Sequence, residues 1–399
     1  MNLTVVFLLV TVMIDAMGIG LIIPVMPDLI REVQGPSLAN AALWGGVMST
    51  VFAVMQFLFG PILGSLSDQY GRRRILLISL SFMVLDYLLM AVAGTIWLLL
   101  LGRVIGGITA ATQATASACM ADISKPEDKA KNFGLIGAGF GAGFVLGPLV
   151  GGLLGEFGTR APFYAAAMLA ALNLALGYLV LRETVKPENR RKFDWSRANP
   201  FGAARSVSAL PGAGRLLIVF LFFQLAFVVY PAVWSYYAVE RFGWAPGTIG
   251  LSLALFGISF GIVQGALIGP IIKRFGERKT VLGGLIFDVA AFVTIGFISS
   301  GTVALILVPI TSLSAVVVPA LQGILSKQVG DDAQGELQGV LTSASAMAAI
   351  ISPLLMTSAF ASFTREGAPI YLPGAPFFLA AVLAAVALWV FVAWRAQDS

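Results

Sequence analysis

Apolar residues run through this chain in long blocks, separated by short clusters of glycine, proline and charge such as Gly94-Thr95, Lys125-Pro126-Glu127 and Ala245-Pro246-Gly247. A bilayer crossing by an α-helix takes about 20 such residues, and the blocks predict twelve helical spans. They lie near 4–27, 42–66, 74–93, 96–121, 131–154, 161–182, 214–238, 247–272, 280–299, 302–326, 335–362 and 369–394. A dozen crossings nearly fill the 399 residues and leave little for a soluble domain. The first block carries Asp15 and lacks a basic leader, so it reads as the first span and not as a cleaved signal.

Composition sharpens this picture. Hydrophobic residues make up 58% and charged residues only 11%, against about 25% charged in soluble domains. The 44 glycines and 19 prolines fall inside the apolar blocks, as packed helices in lipid tolerate. Basic residues set the orientation, because short cytoplasmic loops keep an excess of them. With both termini in the cytoplasm, 20 of the 25 basic residues face that side; Arg31, Arg160, Arg241 and Arg365 fall outside and Arg103 within a span. The same bias accounts for the net charge of +5 without nucleic acid as a partner. Cys119 has no partner for a disulfide, and the absence of histidine removes the usual neutral-pH acid–base group.

The longest polar stretch, 183–213, holds Glu183, Lys186, Arg190, Arg191, Lys192, Asp194 and Arg197 and divides the chain into bundles at 1–182 and 214–399. A shift of 205 positions superimposes Gly64 on Gly269, Gly71 on Gly276, Arg73 on Arg278 and Pro148 on Pro353. Two related six-helix halves are expected, an arrangement that many secondary transporters use to build a midplane site.

Three patterns carry chemistry. Between spans 2 and 3 stands Gly64-Ser65-Leu66-Ser67-Asp68-Gln69-Tyr70-Gly71-Arg72-Arg73-Arg74, with a second copy from Gly269 to Lys279. Gly64 would permit close helix approach and Gly71 a tight turn, while Asp68 could pair with an arginine or a helix N-terminus; Asp122, at the end of span 4, is a further cap or latch partner. Span 5 carries Gly143, Gly147 and Pro148 within a run of small residues, a surface for close packing. Finally, Asp15, Asp86, Arg103 and Asp288 lie inside spans, where each charge costs at least about 2.5–3.5 kcal/mol. At 1.5 Å per residue the three acids lie roughly 17, 18 and 12 Å from the cytoplasmic ends of their spans, near the middle of a core about 30 Å thick. Desolvation favours the neutral acid and a nearby cation the ionised one, so these groups are candidates for proton binding. A structural Asp–Arg pair involving Asp15 or Asp86 is the alternative.

The loop pattern resembles the cytoplasmic signature of the Major Facilitator Superfamily, and Gly143 to Pro148 resembles the motif that marks its antiporters. Asp15 to Leu21, Asp86 to Leu89, Leu101-Gly102-Arg103, Arg241 to Trp244 and Pro319 to Gly323 are similar to stretches of its tetracycline/H⁺ antiporters. The resemblance implies an all-α fold of two six-helix bundles in the bacterial inner membrane, working as a monomer. It further implies exchange of a tetracycline–divalent cation chelate for a proton by alternating access, with no resident cofactor or metal and Mg²⁺ entering only with the substrate. By position, Asp15, Asp86, Asp288 and Arg103 match the family's coupling residues. Gly64, Asp68, Gly71, Arg72, Arg73 and Asp122 form the cytoplasmic gate, and Gln56, Gln264 and Gln322 fall at substrate positions. Phe260 stands where characterised members place a histidine, and Trp234 and Tyr237 are aromatic candidates for the substrate cavity. Two other readings stay open: a carrier of the same fold for another hydrophobic or zwitterionic compound or a metabolite, and a transport-inactive receptor or scaffold. The lack of histidine, of a metal cluster and of a soluble catalytic domain argues against an enzyme.

Overall fold

The computed structural model describes residues 3–185, 188, 190–195, 199, 212–330 and 333–395. Lys186 and Arg197 of the polar stretch lie outside these residues.

Among the described residues, eleven helical stretches are long and apolar enough to cross a membrane. They are α1 (Leu3–Gln34), α2 (Leu38–Tyr70), α3 (Arg72–Val92), α4 (Ile96–Ile123), α5 (Pro126–Gly155), α6 (Ala161–Val180), α7 (Gly214–Phe242), Pro246–Phe297, α10 (Gly301–Gln328), α11 (Gln334–Thr364) and α12 (Ala375–Trp394). The stretch Pro246–Phe297 has 52 residues, about 78 Å of helix at 1.5 Å per residue, more than twice the core thickness. It breaks at Gly276, whose φ of 74° and ψ of 160° are not helical. The stretch is thus two crossings, α8 (246–275) and α9 (277–297), and the twelve predicted spans are all present. Gly71 makes the equivalent break between α2 and α3 with φ 105°. Both angles are comfortable only for glycine.

The surface is apolar where a soluble protein's would be polar. Leu85, Leu88, Leu172, Leu179, Ile306, Val382 and Trp389 are exposed, as suits helices whose solvent is lipid. The chain is a multi-pass membrane protein.

It divides into two compact units. The first comprises Met1–Gly35, Val51–Pro200 and Ala245–Ala254. Its core joins Phe7, Leu8 and Val12 of α1 to Leu76 and Leu80 of α3, Cys119 and Met120 of α4 and Ala166, Ala167 and Ala170 of α6. The second comprises Pro36–Thr50, Phe201–Trp244 and Leu255–Ser399. Its core joins Leu216, Phe220 and Phe223 of α7 to Leu285 of α9, Leu321 and Leu325 of α10, Leu341 of α11 and Phe391 and Trp394 of α12.

The offset of 205 extends to details that residue identity hides. Thr95 caps α4 by accepting from the Leu98 N–H, and Ser300, 205 positions on, caps α10 by accepting from Val303. Arg72 pairs with Asp122 at 3.3 Å; at the same offset Glu277 pairs with Lys327 at 2.7 Å, the same ion pair with its polarity reversed. The C-terminal carbonyls of α3 and α9 are also capped alike. Arg160 donates to Ala91 and Ala93 at 2.7 Å each, and Arg241 donates to Ile298 at 2.9 Å and Phe297 at 3.3 Å. Cations at helix C-termini are stabilised by the dipole, so two of the four arginines that depart from the charge bias have a structural reason to do so.

Candidate functional site

In the first unit, Asp86 of α3 and Arg103 of α4 form a buried ion pair at 3.0 Å, with 5% and 10% of their side chains exposed. Two glycines of α4 make room for it: a Cβ on Gly102 would stand 2.8 Å from one carboxylate oxygen of Asp86 and a Cβ on Gly106 2.5 Å from the other. The guanidinium also stacks over the Phe52 ring at 5.4 Å and meets the Met90 sulfur. One oxygen of Asp86 and Nε of Arg103 remain without hydrogen bonds, so the pair is held tightly at one contact and incompletely elsewhere. Asp15 of α1 is partly buried, and one turn on a Cβ at Gly18 would collide with the hydroxyl of Tyr87, so the neighbour of Asp86 reaches the stretch of α1 that carries Asp15. Asp15, Tyr87, Asp86 and Arg103 are thus gathered in one polar cluster, and Arg103 sides with Asp86.

The helix that carries Asp15 is clasped by α5. A Cβ on Gly147 would stand 2.5 Å from the Met17 carbonyl, one on Gly143 3.0 Å from the Ala16 Cβ, and one on Gly20 2.5 Å from the Pro148 ring. The small-residue run of α5 therefore lets two backbones touch on both sides of Asp15, and Pro148 lies inside an unbroken helix.

At the α2–α3 break, Arg72 gathers its neighbours. It pairs with Asp68 at 2.6 Å and with Asp122 at 3.3 Å, and donates to the Ser67 hydroxyl. Its N–H donates to Glu183 at 2.9 Å, while Thr184 donates to Asp122. The start of the polar stretch is tied into the cluster in this way, a role of Glu183 and Thr184 that their positions in the sequence do not announce. Arg73 turns aside to the Tyr178 carbonyl at 2.9 Å. Within its own unit a Cβ on Gly64 would meet nothing among the described residues within 4 Å, so no close approach is made there inside that unit, and its carbonyl accepts from Ser67.

In the second unit, Asp288 of α9 is wholly buried, and among the described residues neither of its carboxyl oxygens has a hydrogen-bond partner. Two irregular segments flank the site: α8 widens to a π-helical turn at Val263–Leu267 and α10 tightens to a 3₁₀ turn at Ser312–Val316. The side chain of Gln264 joins them by donating to the Ala315 carbonyl at 3.1 Å. Phe260 lies one turn before Gln264, partly buried against Phe227 and Phe256. Gln322 is partly buried on α10, and in the first unit Gln56 is exposed on α2.

Trp234 and Tyr237 do not line a cavity. They are 2% and 0% exposed, packed edge-on against Phe377 and tilted against each other, and the Tyr237 hydroxyl is committed to the Ile295 carbonyl at 2.6 Å. Apolar ring area and a satisfied hydroxyl place them among packing residues.

The sequence profile of the Major Facilitator Superfamily matches the chain twice, over residues 8–231 and 215–399. A class C tetracycline resistance protein from Escherichia coli is 40% identical over 362 residues, covering 90% of each chain. The chain belongs to the tetracycline resistance family of the Major Facilitator Superfamily. A class B tetracycline resistance protein from E. coli is 36% identical over 91% of this chain and 89% of its own, and multidrug resistance protein 1 of Bacillus subtilis is 28% identical over 99% and 97%. Among solved structures, the nucleoside transporter NupG superimposes with a TM-score of 0.79 at 13% identity, covering 99% of each chain. That likeness speaks for the fold alone. The family and its members are transporters, and lipid and a small-molecule substrate are the partners that suit such a chain.

Proposed function

We propose that this protein is a proton-coupled antiporter that exports tetracycline, as its divalent-cation chelate, by alternating access. The observation that carries the reading is Asp288, a carboxyl group sealed in the second unit without a hydrogen bond, in a chain 40% identical to a tetracycline resistance protein over nearly its whole length. A carboxylate left so would be costly, and a carboxyl that holds a proton in one state and loses it in another has a use for that cost. Protonation of Asp15 or Asp288 from outside promotes release of substrate; loss of the proton inside resets the carrier. Each charge moved through 100 mV is worth about 2.3 kcal/mol, enough to give export its direction. Asp86, already paired with Arg103, holds the first unit's cluster in shape. The termini lie in the cytoplasm of a bacterial inner membrane, the protein works as a monomer, and Mg²⁺ crosses as cargo.

The test is uptake of tetracycline–Mg²⁺ into inside-out proteoliposomes with and without an imposed pH gradient. Asp288→Asn should lose gradient-driven uptake while keeping substrate counterflow. Full uphill transport by that variant would overturn the assignment.

A second reading has one observation in its favour. The aromatic wall of Phe227, Phe256 and Phe260 suits a broader set of flat hydrophobic compounds, in keeping with the similarity to a multidrug resistance protein. A panel of unrelated planar drugs in the same vesicles separates the two, since a tetracycline carrier leaves most of them behind.

A further inference from the structure

The α10 segment opposite Asp288 is crowded with buried hydroxyls. Thr311, Ser312 and Ser314 are 4%, 1% and 0% exposed, and each donates to the carbonyl three residues earlier: Val308, Pro309 and Thr311. This back-bonding by hydroxyls accompanies the 3₁₀ turn at Ser312–Val316, a form that within a longer helix often marks a hinge. The turn packs hard on α9. A Cβ on Gly284, one helical turn before Asp288, would stand 2.5 Å from a methyl of Val317. Glu277 meets Lys327 and Gly284 meets Val317 as α9 and α10 run past each other in opposite directions, a register that sets position 314 opposite Asp288, with the Ser314 hydroxyl turned to the Thr311 carbonyl at 3.1 Å. On the other side stands Tyr230 of α7, its buried hydroxyl without a hydrogen bond and its ring among Phe227, Phe256, Phe292 and Phe377. One donor is engaged in a weak local bond and one is idle, next to an acid with two empty acceptors.

We propose that Ser314 is a positioning residue for the proton at Asp288, its hydroxyl turning from the Thr311 carbonyl to the carboxylate when the proton leaves for water. The Gln264–Ala315 bond links the turn that carries Ser314 to a candidate substrate residue on α8, so occupancy near Gln264 can bias which acceptor Ser314 takes. No charged group of the neighbouring helices competes: α8 carries charge only at Lys273 and Arg274, at its far end, α12 has no charged residue before Arg395, and Lys327 at the end of α10 is paired with Glu277. The Tyr230 phenol, whose ring lies on Phe292 one turn beyond Asp288, is a second donor and is common to every variant of the test below.

This inference rests on Asp288 being a proton carrier, as proposed above, and the experiment keeps the two apart. Purified protein in detergent is titrated with acid and base, and the difference between the parent and Asp288→Asn isolates the proton bound at Asp288. In a Ser314→Ala background that difference curve should move up by about one pH unit, the effect of removing a hydrogen bond to a charged acceptor. Ser314→Thr, which keeps the hydroxyl, should titrate like the parent. Ser314→Cys, a weak donor of similar volume, should shift in the same direction as alanine and serves if the alanine variant is poorly recovered. Curves that superimpose for parent and Ser314→Ala, or a threonine variant that shifts like alanine, would overturn the role of Ser314. Absence of any proton difference for Asp288→Asn would instead remove the reading beneath it.

Discussion

At the scale of single residues, the membrane interior makes each charge a decision about partners. Asp86 and Arg103 resolve it by pairing, and removing one partner leaves the other stranded. Arg103→Ala is therefore expected to destabilise by on the order of 3 kcal/mol or more, read as a fall in the thermal unfolding midpoint in detergent. The double variant Asp86→Asn/Arg103→Gln, with neutral groups of similar size, should recover much of that loss. Gly106 belongs to the same arrangement. An alanine Cβ would press on the Asp86 carboxylate at 2.5 Å, so Gly106→Ala should disturb the pair and lower transport without altering the charge inventory. Helical rise and charge position place Asp15, Asp86 and Asp288 well inside their apolar spans. Which of them Arg103 would choose was not legible in the sequence, because the choice depends on the contact between α3 and α4 and on two glycines that clear space for it.

At the scale of elements, helix ends and helix faces hold the arrangement together. Thr95 and Ser300 cap equivalent helices, and Thr95→Ala or Ser300→Ala should each cost about 1 kcal/mol, with losses that add because the sites lie in different units. The ion pair Arg72–Asp122 and its reversed counterpart Glu277–Lys327 make a sharper prediction. Glu277→Lys alone should lower thermal stability, and Glu277→Lys with Lys327→Glu should restore it. A search for matching residues at a fixed offset finds the glycines and Pro148–Pro353, since backbone conformation permits few substitutes. It overlooks the ion pair, since attraction survives exchange of the charges. The aromatic residues of α7 show the opposite limit. From their positions Trp234 and Tyr237 suit either a cavity wall or packing, and only the neighbouring rings and the Ile295 carbonyl reveal that they are engaged in packing.

For the whole molecule, orientation follows from where the cations lie, and it can be checked directly. Cys119 is buried in the first unit's apolar core, so Cys119→Ala, which adds no polar group there, should be tolerated and gives a background without thiols. On it, Trp195→Cys, an exposed site in the polar stretch, should react with an impermeant maleimide only from the cytoplasmic face. Ser299→Cys, between α9 and α10, should react only from the opposite face. Labelling from the reverse sides would invert the proposed topology. Arg160 and Arg241 do not weaken this expectation, since each is held by carbonyls at a helix end.

The order of apolar blocks, their lengths and the distribution of lysine and arginine determined by themselves that this chain spans the membrane twelve times as two related halves. Transfer of side chains from water to lipid is a sum over local segments, and a linear sequence carries that sum in full. The tertiary structure alone decided which acid is paired and which is left open, that Trp234 and Tyr237 are packing residues, and that a 3₁₀ turn in α10 lies against the part of α9 that carries Asp288. Those outcomes depend on distances of a few ångströms between helices far apart in the chain, which hydropathy does not encode.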